Sequence, residues 1–300
     1  MDTFVDSSWY QLRYPDNRND KEPFSREIVD RMCPVDKYVG GPEHAAMHLL
    51  YTRFICKALR DMGLLDFDEP FKSLVHQGII LGPDGNRMSK SKGNTVAPDQ
   101  YVTKYGSDVF RTYLAFGFAY TEGGPWNDKG LQAIVKFVSR IERLMDETAK
   151  ISAGSSSSKE WTADDKELRY WLHNTIRCVT QDTEKFQFNT SIARMMELLN
   201  AISKYQGLSG AKPSLIREAS ETLLLLFAPF APHFAEEYWE KSGHAYSIFN
   251  QKWPVYDPAA LVLDTVEIAV QVNGQIKFRM EYAKLLRIES AIRTYFEVLL

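Results

Sequence analysis

A basic, hydroxyl-rich stretch, residues 87–91 (RMSKS), is the part of this sequence best suited to chemistry. It follows a turn pattern at residues 83–86 (PDGN) and continues into Lys92, Gly93 and Asn94. Lysine ammonium groups neutralise charge on phosphate oxygens, and serine hydroxyls and backbone N–H groups donate hydrogen bonds to them. The stretch therefore predicts a loop that holds polyphosphate. The alternative is a solvated surface loop without a ligand.

A second candidate segment, GGPEHAAMH, combines two glycines with an acid and two histidines. Gly40 and Gly41 allow close approach of backbone to a ligand, just ahead of a predicted helix whose N-terminal amides favour anionic or polar groups. Glu43 is placed to accept hydrogen bonds from ribose hydroxyls. His44 and His48 are four residues apart and are predicted to share one helical face. The pair fits a polar-rimmed substrate pocket, two satisfied structural histidines, or a zinc site without an evident third ligand.

The elements that must position these residues follow from the pattern of apolar side chains. Apolar residues at helical spacing predict a helix over residues 43–64. Residues 75–81 predict a strand, whose apolar end at 78–82 is predicted to be buried. Residues 2–10, taken alone, predict a strand with aromatic neighbours. Two more helices are predicted from start signals near residues 107 and 128.

The second half of the chain is predicted to be mainly helical. A Ser/Gly tract at residues 151–160 predicts a flexible linker. Residues 161–255 predict a four-helix bundle with short loops. The helices are predicted to begin at Thr162, Asn189, Pro213 and Pro232. Residues 266–280 alternate on either side of an Asn-Gly pair and predict a hairpin, and residues 281–300 predict a helix.

Composition limits the class of protein. The 300 residues suffice for about two domains, and 44% hydrophobic and 25% charged residues are typical of a globular protein. A net charge of −3 provides no general attraction for nucleic acid, so RNA binding would need local basic patches. Three widely spaced cysteines argue against a structural zinc site. Without a signal peptide or a long apolar run, the chain is expected to be cytoplasmic and not membrane-bound.

Taken together, these segments resemble one family, the leucyl-tRNA synthetases, which are class I aminoacyl-tRNA synthetases. The RMSKS stretch is similar to the KMSKS loop of that class, with Arg87 in place of the first lysine. DTFVDSSWYQLRY at the N-terminus and GGPEHAAMHLLYTRF match the family in order and spacing. The resemblance continues through YGSDVFR, FNT, PFAPH and VQVNG, and so covers nearly the whole chain.

The resemblance implies a fold class and a domain organisation. Residues 1–150 would form the α/β half of a Rossmann-like catalytic domain, with the KMSKS-type loop and connecting helices. After the linker, residues 161–255 would form an all-α helical bundle of the anticodon-binding type. Residues 256–300 would form a short β-hairpin and helix segment, the start of a truncated C-terminal domain.

The resemblance also implies roles for individual residues. Lys90 would be the catalytic residue that steadies the triphosphate while the leucine carboxylate attacks the α-phosphorus of ATP, which enters with Mg²⁺. ATP would be bound by Gly40, Gly41, Glu43, Met88, Ser89 and Lys90. Leucine would be bound by Phe4, Ser7, Tyr10, His44 and His48. The tRNA phosphates would contact Arg169, Arg177, Lys185 and Arg194, each of which taken singly also fits ordinary solvated surface.

The implied function is leucine–tRNA ligase, which activates leucine with ATP and transfers it to tRNA-Leu. The His-Ile-Gly-His type sequence of the family and its inserted editing domain do not occur in this sequence. The isolated chain is therefore expected to lack ATP–pyrophosphate exchange activity. Three explanations stay open: a fragment, a split subunit that needs a separate N-terminal half, or a non-catalytic tRNA-binding or regulatory paralogue.

Overall fold

The computed structural model describes residues 2–151, 160–262, 265–272 and 275–283, and the last two ranges by their backbone only. The predicted linker, apart from its two end residues, lies outside the described residues. The chain divides into two compact units. The N-terminal unit comprises Met1–Val96 and Phe118–Asn127, and the helical unit comprises Ala97–Gly117 and Asp128–Leu300.

The N-terminal unit contains a strand–helix–strand arrangement. Its helices and strands are α1 (Tyr10–Arg13), α2 (Arg26–Met32), β1 (Tyr38–Gly40), α3 (His48–Asp61), β2 (Leu74–His76), β3 (Ile79–Leu81) and β4 (Gly123–Pro125). β1 is parallel to β2, with Val39 opposite Val75. β3 is parallel to β4, with Ile79 opposite Gly123. At Gly123 φ is +74° and an added Cβ would lie 2.6 Å from the Ile79 nitrogen, so this close pairing requires glycine.

A small apolar core joins the helices of the N-terminal unit. Its buried members are Leu12, Phe24, Val29, Cys56 and Leu65. They come from α1, α2, α3 and the loops beside them, so the residues after the N-terminus and α3 are fixed to the same core. This places the segments that carry the predicted leucine-binding residues next to one another.

The strand predicted over residues 2–10 and the helix predicted over residues 43–64 are wrong in part or in whole. Residues 2–10 contain two short 3-10 helices, Asp2–Phe4 and Asp6–Ser8, and not a strand. The Ser7 and Ser8 hydroxyls both donate to the Phe4 carbonyl, and such local bonds compete with extended structure. The first residues of the helix predicted over residues 43–64 belong instead to a separate 3-10 helix, Pro42–Ala45. The α-helix α3 begins only at His48.

The strand predicted over residues 75–81 is also divided. Gln77 and Gly78 separate β2 from β3 because their N–H groups bond to the carbonyls of Gly40 and Tyr120. The apolar end of this region is not buried, since Ile79 is 38% exposed and Ile80 is half-buried. The three-residue strands leave part of their apolar side chains in contact with solvent.

The helical unit is formed by longer helices with defined starts. They are α4 (Pro98–Tyr105), α5 (Ser107–Phe116), α6 (Asp128–Thr148), α7 (Ala163–Glu184), α8 (Phe188–Gln206), α9 (Pro213–Phe227) and α10 (Pro232–Lys241). Thr162 and Asp165 form a reciprocal capping box at the start of α7. The starts predicted for α9 and α10 are confirmed, whereas α8 begins at Phe188, one residue before the predicted cap.

The helices of this unit share a continuous apolar core. Fully buried side chains recur on the inward faces of α6 to α9, and they include Ile134, Ile141, Met145, Leu172, Met195, Leu198, Leu223 and Phe227. Among the helices that the structure describes, none is long and apolar enough to cross a membrane.

The predicted hairpin is confirmed in its two strands. β5 (Thr265–Val272) pairs antiparallel with β6 (Gln275–Ala283), and the register shifts between Val270 and Gln271. Residues 281–283, predicted to begin a helix, belong to β6 because the ladder extends to the pair Thr265–Ala283. The rest of that predicted helix, 284–300, lies outside the described residues.

Candidate functional site

The basic loop is fixed at its base by two polar side chains. The Asn94 amide donates to both carboxylate oxygens of Asp84 at 3.1 Å, and its own oxygen accepts from the Ser89 N–H at 2.9 Å. The hydrogen bond from the Asn86 backbone N–H, followed by that from the Asn94 amide, lowers the pKa of Asp84. Asp84 and Asn94 carry no role in the sequence interpretation, although both lie beside the RMSKS stretch. They tie the start of the loop to its end.

The remaining polar side chains of the loop lie on and beside a short helical turn. Lys90–Lys92 forms a short 3-10 helix that ends at Gly93, whose φ of +64° suits glycine. The Ser89 and Ser91 hydroxyls lie 2.8 Å apart, and Lys90 is exposed. Met88 turns inward, where its sulfur accepts the Val96 N–H at 3.5 Å. The loop therefore presents an ammonium group and hydroxyls on a fixed base.

The glycine-rich segment and the basic loop meet within the N-terminal unit. The Arg87 guanidinium lies 4.0 Å from the Glu43 carboxylate, and both side chains are exposed. Glu43 itself folds back toward Gly41, where an added Cβ would lie 2.7 Å from the Glu43 Cδ. Two segments 44 positions apart in sequence thus form one polar surface, with Gly40 at the carboxyl end of β1. Ligands of open α/β sheets commonly bind at that end.

His48 is buried and both of its ring nitrogens are engaged. Nε2 lies 2.6 Å from the Ser7 carbonyl, and Nδ1 lies 2.9 Å from the Tyr38 hydroxyl. Because a carbonyl oxygen only accepts, Nε2 donates to it and Nδ1 accepts from tyrosine in the neutral ring. Zinc ligation would have to break one of these bonds. Tyr38 is a further residue to which the sequence assigned no role, although it stands two positions before Gly40.

Aromatic rings surround His48. Ring centroids lie 5.6 Å away for Tyr38, 6.0 Å for Tyr10 and 6.4 Å for Phe4. Phe4 also contacts Tyr51 at 5.6 Å. Burial raises the pKa of Tyr10, so its ring stays neutral and apolar. The predicted leucine-binding residues Phe4, Ser7, Tyr10 and His48 are therefore brought together.

His44 has a different setting from the one predicted. It lies in the 3-10 helix Pro42–Ala45, so His44 and His48 do not share a face of one α-helix. The rings nevertheless approach edge to face with centroids 6.3 Å apart. Nδ1 of His44 is buried and has no hydrogen-bond partner among the described residues. The close approach comes from the turn at Ala46 and Met47 and not from helical periodicity.

A groove of about 440 Å³ opens beside the aromatic cluster. Its walls include Tyr10, Tyr38, Phe71, Met32 and Cys33. Burial, followed by the nearby Asp30 carboxylate, raises the pKa of the Cys33 thiol, which favours its neutral form. The groove is thus mainly apolar and shares two tyrosines with the cluster around His48.

The four basic residues predicted to contact tRNA have unequal settings in the helical unit. Arg169 pairs with Asp257 at 3.3 Å, and Arg194 pairs with Glu197 at 3.2 Å. Arg177 is half-buried and donates to the Asn174 side chain at 2.7 Å. Lys185, which follows α7, is exposed. The four side chains therefore have different partners, and their contact with tRNA stays a prediction.

Two family models match the sequence. That of the class I tRNA synthetases (I, L, M and V) matches residues 5–123, and that of the anticodon-binding domain of tRNA ligase matches residues 165–292. Leucine–tRNA ligase of Clostridium perfringens is 61% identical over 278 residues, which are 92% of this chain and 34% of that protein. This chain is homologous to the leucine–tRNA ligases. It spans about a third of the length of the curated relatives it matches.

Three further proteins are similar to this chain. The enzyme of Caldanaerobacter subterraneus is 57% identical over 283 residues, 94% of this chain and 35% of that protein. A LeuRS of Agrobacterium radiobacter K84, solved in a ternary complex with tRNA and LeuAMS, is 35% identical with a TM-score of 0.84, over 98% of this chain and 37% of that one. Methionyl-tRNA synthetase of Mycobacterium tuberculosis shares the fold, with a TM-score of 0.62. It is 19% identical, over 81% of this chain and 50% of that one.

The predicted resemblance to leucine–tRNA ligases and the coarse fold are thereby confirmed. The chain contains a class I synthetase catalytic fragment and a helical anticodon-binding domain. The roles of single residues, the domain limits and the assignment of residues 87–91 as the KMSKS-type loop stay predictions.

Proposed function

We propose that this chain supplies part of a leucine–tRNA ligase: the lysine loop, part of the leucine pocket, and the bundle that docks tRNA-Leu. The observation that supports this most directly is the approach of Arg87 to Glu43 at 4.0 Å. It supports the proposal because the basic loop then lies beside the glycine segment, and the groups proposed to bind phosphate and ribose would share one surface. The aromatic cluster around His48 adjoins the same segment through Tyr38 and His44.

In this proposal Mg–ATP is held between the glycine segment and the loop. Gly40 and Gly41 admit the nucleoside, Glu43 accepts from ribose hydroxyls, and Met88 and Ser89 shape the loop. The Lys90 ammonium neutralises charge on the triphosphate as the leucine carboxylate oxygen bonds to the α-phosphorus and pyrophosphate leaves. Arg87 supplies the positive charge of the first loop position, as a lysine would there, and lies beside the Glu43 carboxylate.

The leucine side chain is held by the aromatic cluster. Phe4 and Tyr10 provide the apolar walls, while Ser7 and His44 offer polar atoms at the rim. His44 suits this role because its buried Nδ1 has no partner among the described residues. His48 contributes by holding the Ser7 carbonyl and the Tyr38 ring in place.

The helical unit is the part that docks tRNA-Leu in this proposal. Its support is the anticodon-binding family match over residues 165–292 and the similarity to a LeuRS solved with tRNA. Activity also requires the remainder of a ligase, as one polypeptide or as a separate N-terminal half.

The proposal is tested in a chimeric enzyme. The segment of Clostridium perfringens leucine–tRNA ligase that matches this chain, 61% identical, is replaced by this chain. We expect the chimera to catalyse leucine-dependent ATP–pyrophosphate exchange and Lys90→Ala to lower that rate on the order of 10²-fold. Lys72→Ala is the matched control, because Lys72 is an exposed lysine of the same unit paired with Asp36 at 2.8 Å.

An inactive but folded chimera would contradict the proposed catalytic contribution. If that chimera, or the 300-residue chain, still bound tRNA-Leu, the non-catalytic tRNA-binding paralogue would be favoured. If Lys90→Ala and Lys72→Ala lowered the rate of ATP–pyrophosphate exchange equally, the specific role proposed for Lys90 would be contradicted.

A further inference from the structure

We propose that helix α7 carries a latch, formed by Arg169, His173 and Thr180, that holds residues 253–262 and thereby positions the hairpin that follows. Residues 253–262 are called the strap. The effect of the latch on tRNA docking rests on the function proposed above, whereas the latch itself rests on contacts within the helical unit. Arg169 then acts as a positioning residue and not as a direct phosphate contact.

The strap touches α7 at both ends of the latch. The Trp253 indole N–H donates to the Thr180 hydroxyl at 2.8 Å. Asp257 reaches the other end, where its backbone N–H donates to His173 Nδ1 at 3.1 Å and its carboxylate pairs with Arg169 at 3.3 Å. Positions 169, 173 and 180 are four and seven residues apart, so they lie along one face of the helix.

Asp257 also organises the strap that it ties down. Its second carboxylate oxygen accepts the Ala259 N–H at 2.9 Å and caps the 3-10 helix Pro258–Leu261. Three bonds therefore meet at Asp257, which is five positions before Val262, and β5 begins at Thr265. Breaking the Asp257 contacts would release the element that leads into the hairpin.

Unlike an ordinary surface arginine, Arg169 contacts two other side chains of the helical unit. Its side chain is only 20% exposed, its guanidinium pairs with Asp257, and it stacks 4.6 Å from the Trp161 ring centroid. A guanidinium engaged on two sides has little freedom to follow a phosphate backbone. Lys185 is exposed and is the better candidate for that contact.

His173 makes the latch sensitive to acid. Its ring is buried, and Nδ1 can accept from Asp257 only when that nitrogen carries no proton. The charged groups facing it are Arg169 on α7 and Asp257 on the strap. Burial, helped by Arg169 and opposed by Asp257, lowers the pKa of His173 below 6.5. The stabilisation of the latch by the hydrogen bond to neutral His173 is fully present above pH 6.5. It is lost as pH falls through the lower pKa that His173 has in the folded state.

Hydrogen–deuterium exchange of the 300-residue chain tests the latch without any ligand. We expect Arg169→Met and Thr180→Val each to raise exchange of strap amides about fivefold, the effect of one lost hydrogen bond or ion pair. Gln181→Ala, an exposed change on the same helix, should leave strap exchange unchanged. In the wild-type chain, exchange of the strap amides, corrected for the intrinsic exchange rate, should rise as pH is lowered from about 7 to about 5. His173→Asn should remove that rise.

Unchanged strap exchange in both Arg169→Met and Thr180→Val would overturn the latch. Binding of tRNA-Leu to the same variants tests its consequence. We expect Thr180→Val to weaken binding severalfold although it removes no charge, while Gln181→Ala binds as wild type. Strap opening without weaker binding would overturn the positioning role. Failure of the wild-type chain to bind tRNA would count against the proposed function, and exchange alone would still decide the latch.

Discussion

The N-terminal unit and the helical unit hold their residues by different means. In the N-terminal unit the strands have three residues each, and the candidate site is held by polar bonds and ring contacts around His48, Asp84 and Asn94. In the helical unit helices of up to 22 residues share a continuous buried core. Packing fixes the second unit, whereas specific hydrogen bonds fix the site in the first.

The same contrast appears in the exposed apolar side chains. On α3, Leu50 is 52% exposed and Phe54 is 60% exposed, whereas Leu198 on α8 is fully buried. An exposed side chain gains little free energy from folding, since the hydrophobic contribution scales with the area removed from water. We therefore expect core substitutions to be costly in the helical unit and site substitutions to be costly for function in the N-terminal unit.

The largest expected effect is on the core of the helical unit. Leu198→Ala should lower the free energy of unfolding by about 2–5 kcal/mol, because it leaves a cavity in a closely packed core. Leu50→Ala should change it by less than about 0.5 kcal/mol. Urea unfolding followed by circular dichroism measures both. Similar costs for the two variants would break the contrast between the units.

The buried carboxylate of the helical unit should make its stability depend on acid. Burial alone would raise the pKa of Asp165, but hydrogen bonds from Lys212, Tyr205 and Thr162 outweigh burial and hold it at about 2. This stabilisation is present above the ordinary pKa of 3.8 and is lost as pH falls from there toward 2. The loss should reach about 2 kcal/mol, in line with a shift of nearly two pKa units.

Urea unfolding between about pH 5 and about pH 2 checks this expectation. Asp165→Asn should flatten the acid dependence of unfolding. Asp20→Asn is the comparison from the N-terminal unit, where the carboxylate is exposed. Asp20→Asn should leave the acid dependence nearly as in wild type. An unchanged pH profile for Asp165→Asn would exclude Asp165 as the source of the effect.

A smaller effect is expected at the aromatic cluster. Tyr38→Phe removes the donor to His48 Nδ1 and leaves a buried nitrogen unpaired, at a cost of about 1 kcal/mol. In the chimeric ligase this should raise the KM for leucine about fivefold and leave the KM for ATP unchanged. Tyr246→Phe, at a residue 87% exposed in the helical unit, is the control. A parallel rise in both KM values would point to general disturbance of the site.

The smallest effect is expected on the surface of the helical unit. Lys185→Ala should weaken tRNA-Leu binding only severalfold and reduce the salt dependence of binding by about one phosphate contact. Lys204→Ala should have less effect, because Lys204 already pairs with Glu167 at 2.8 Å. Filter binding over a salt series measures both. Equal salt slopes for Lys185→Ala and wild type would remove Lys185 from the interface.

The accuracy of the sequence predictions follows the same division between the units. Helix starts at Thr162, Pro213 and Pro232 were predictable because capping residues and proline act locally. The strand predicted for residues 2–10 is wrong because the Ser7 and Ser8 hydroxyls bond to the Phe4 carbonyl. Tyr38 was missed because its bond to His48 joins a strand to a helix. No spacing rule connects such positions.

By itself, the sequence determined the family resemblance, the helical bundle, the hairpin and the segments that carry the candidate site. These depend on residue type, periodicity and local turn chemistry, which are written along the chain. Only the tertiary structure decided that Arg87 meets Glu43, that His48 is bonded on both sides, and that Arg169 is paired with Asp257. Such contacts join residues distant in sequence, and their geometry is set by the packing of whole elements.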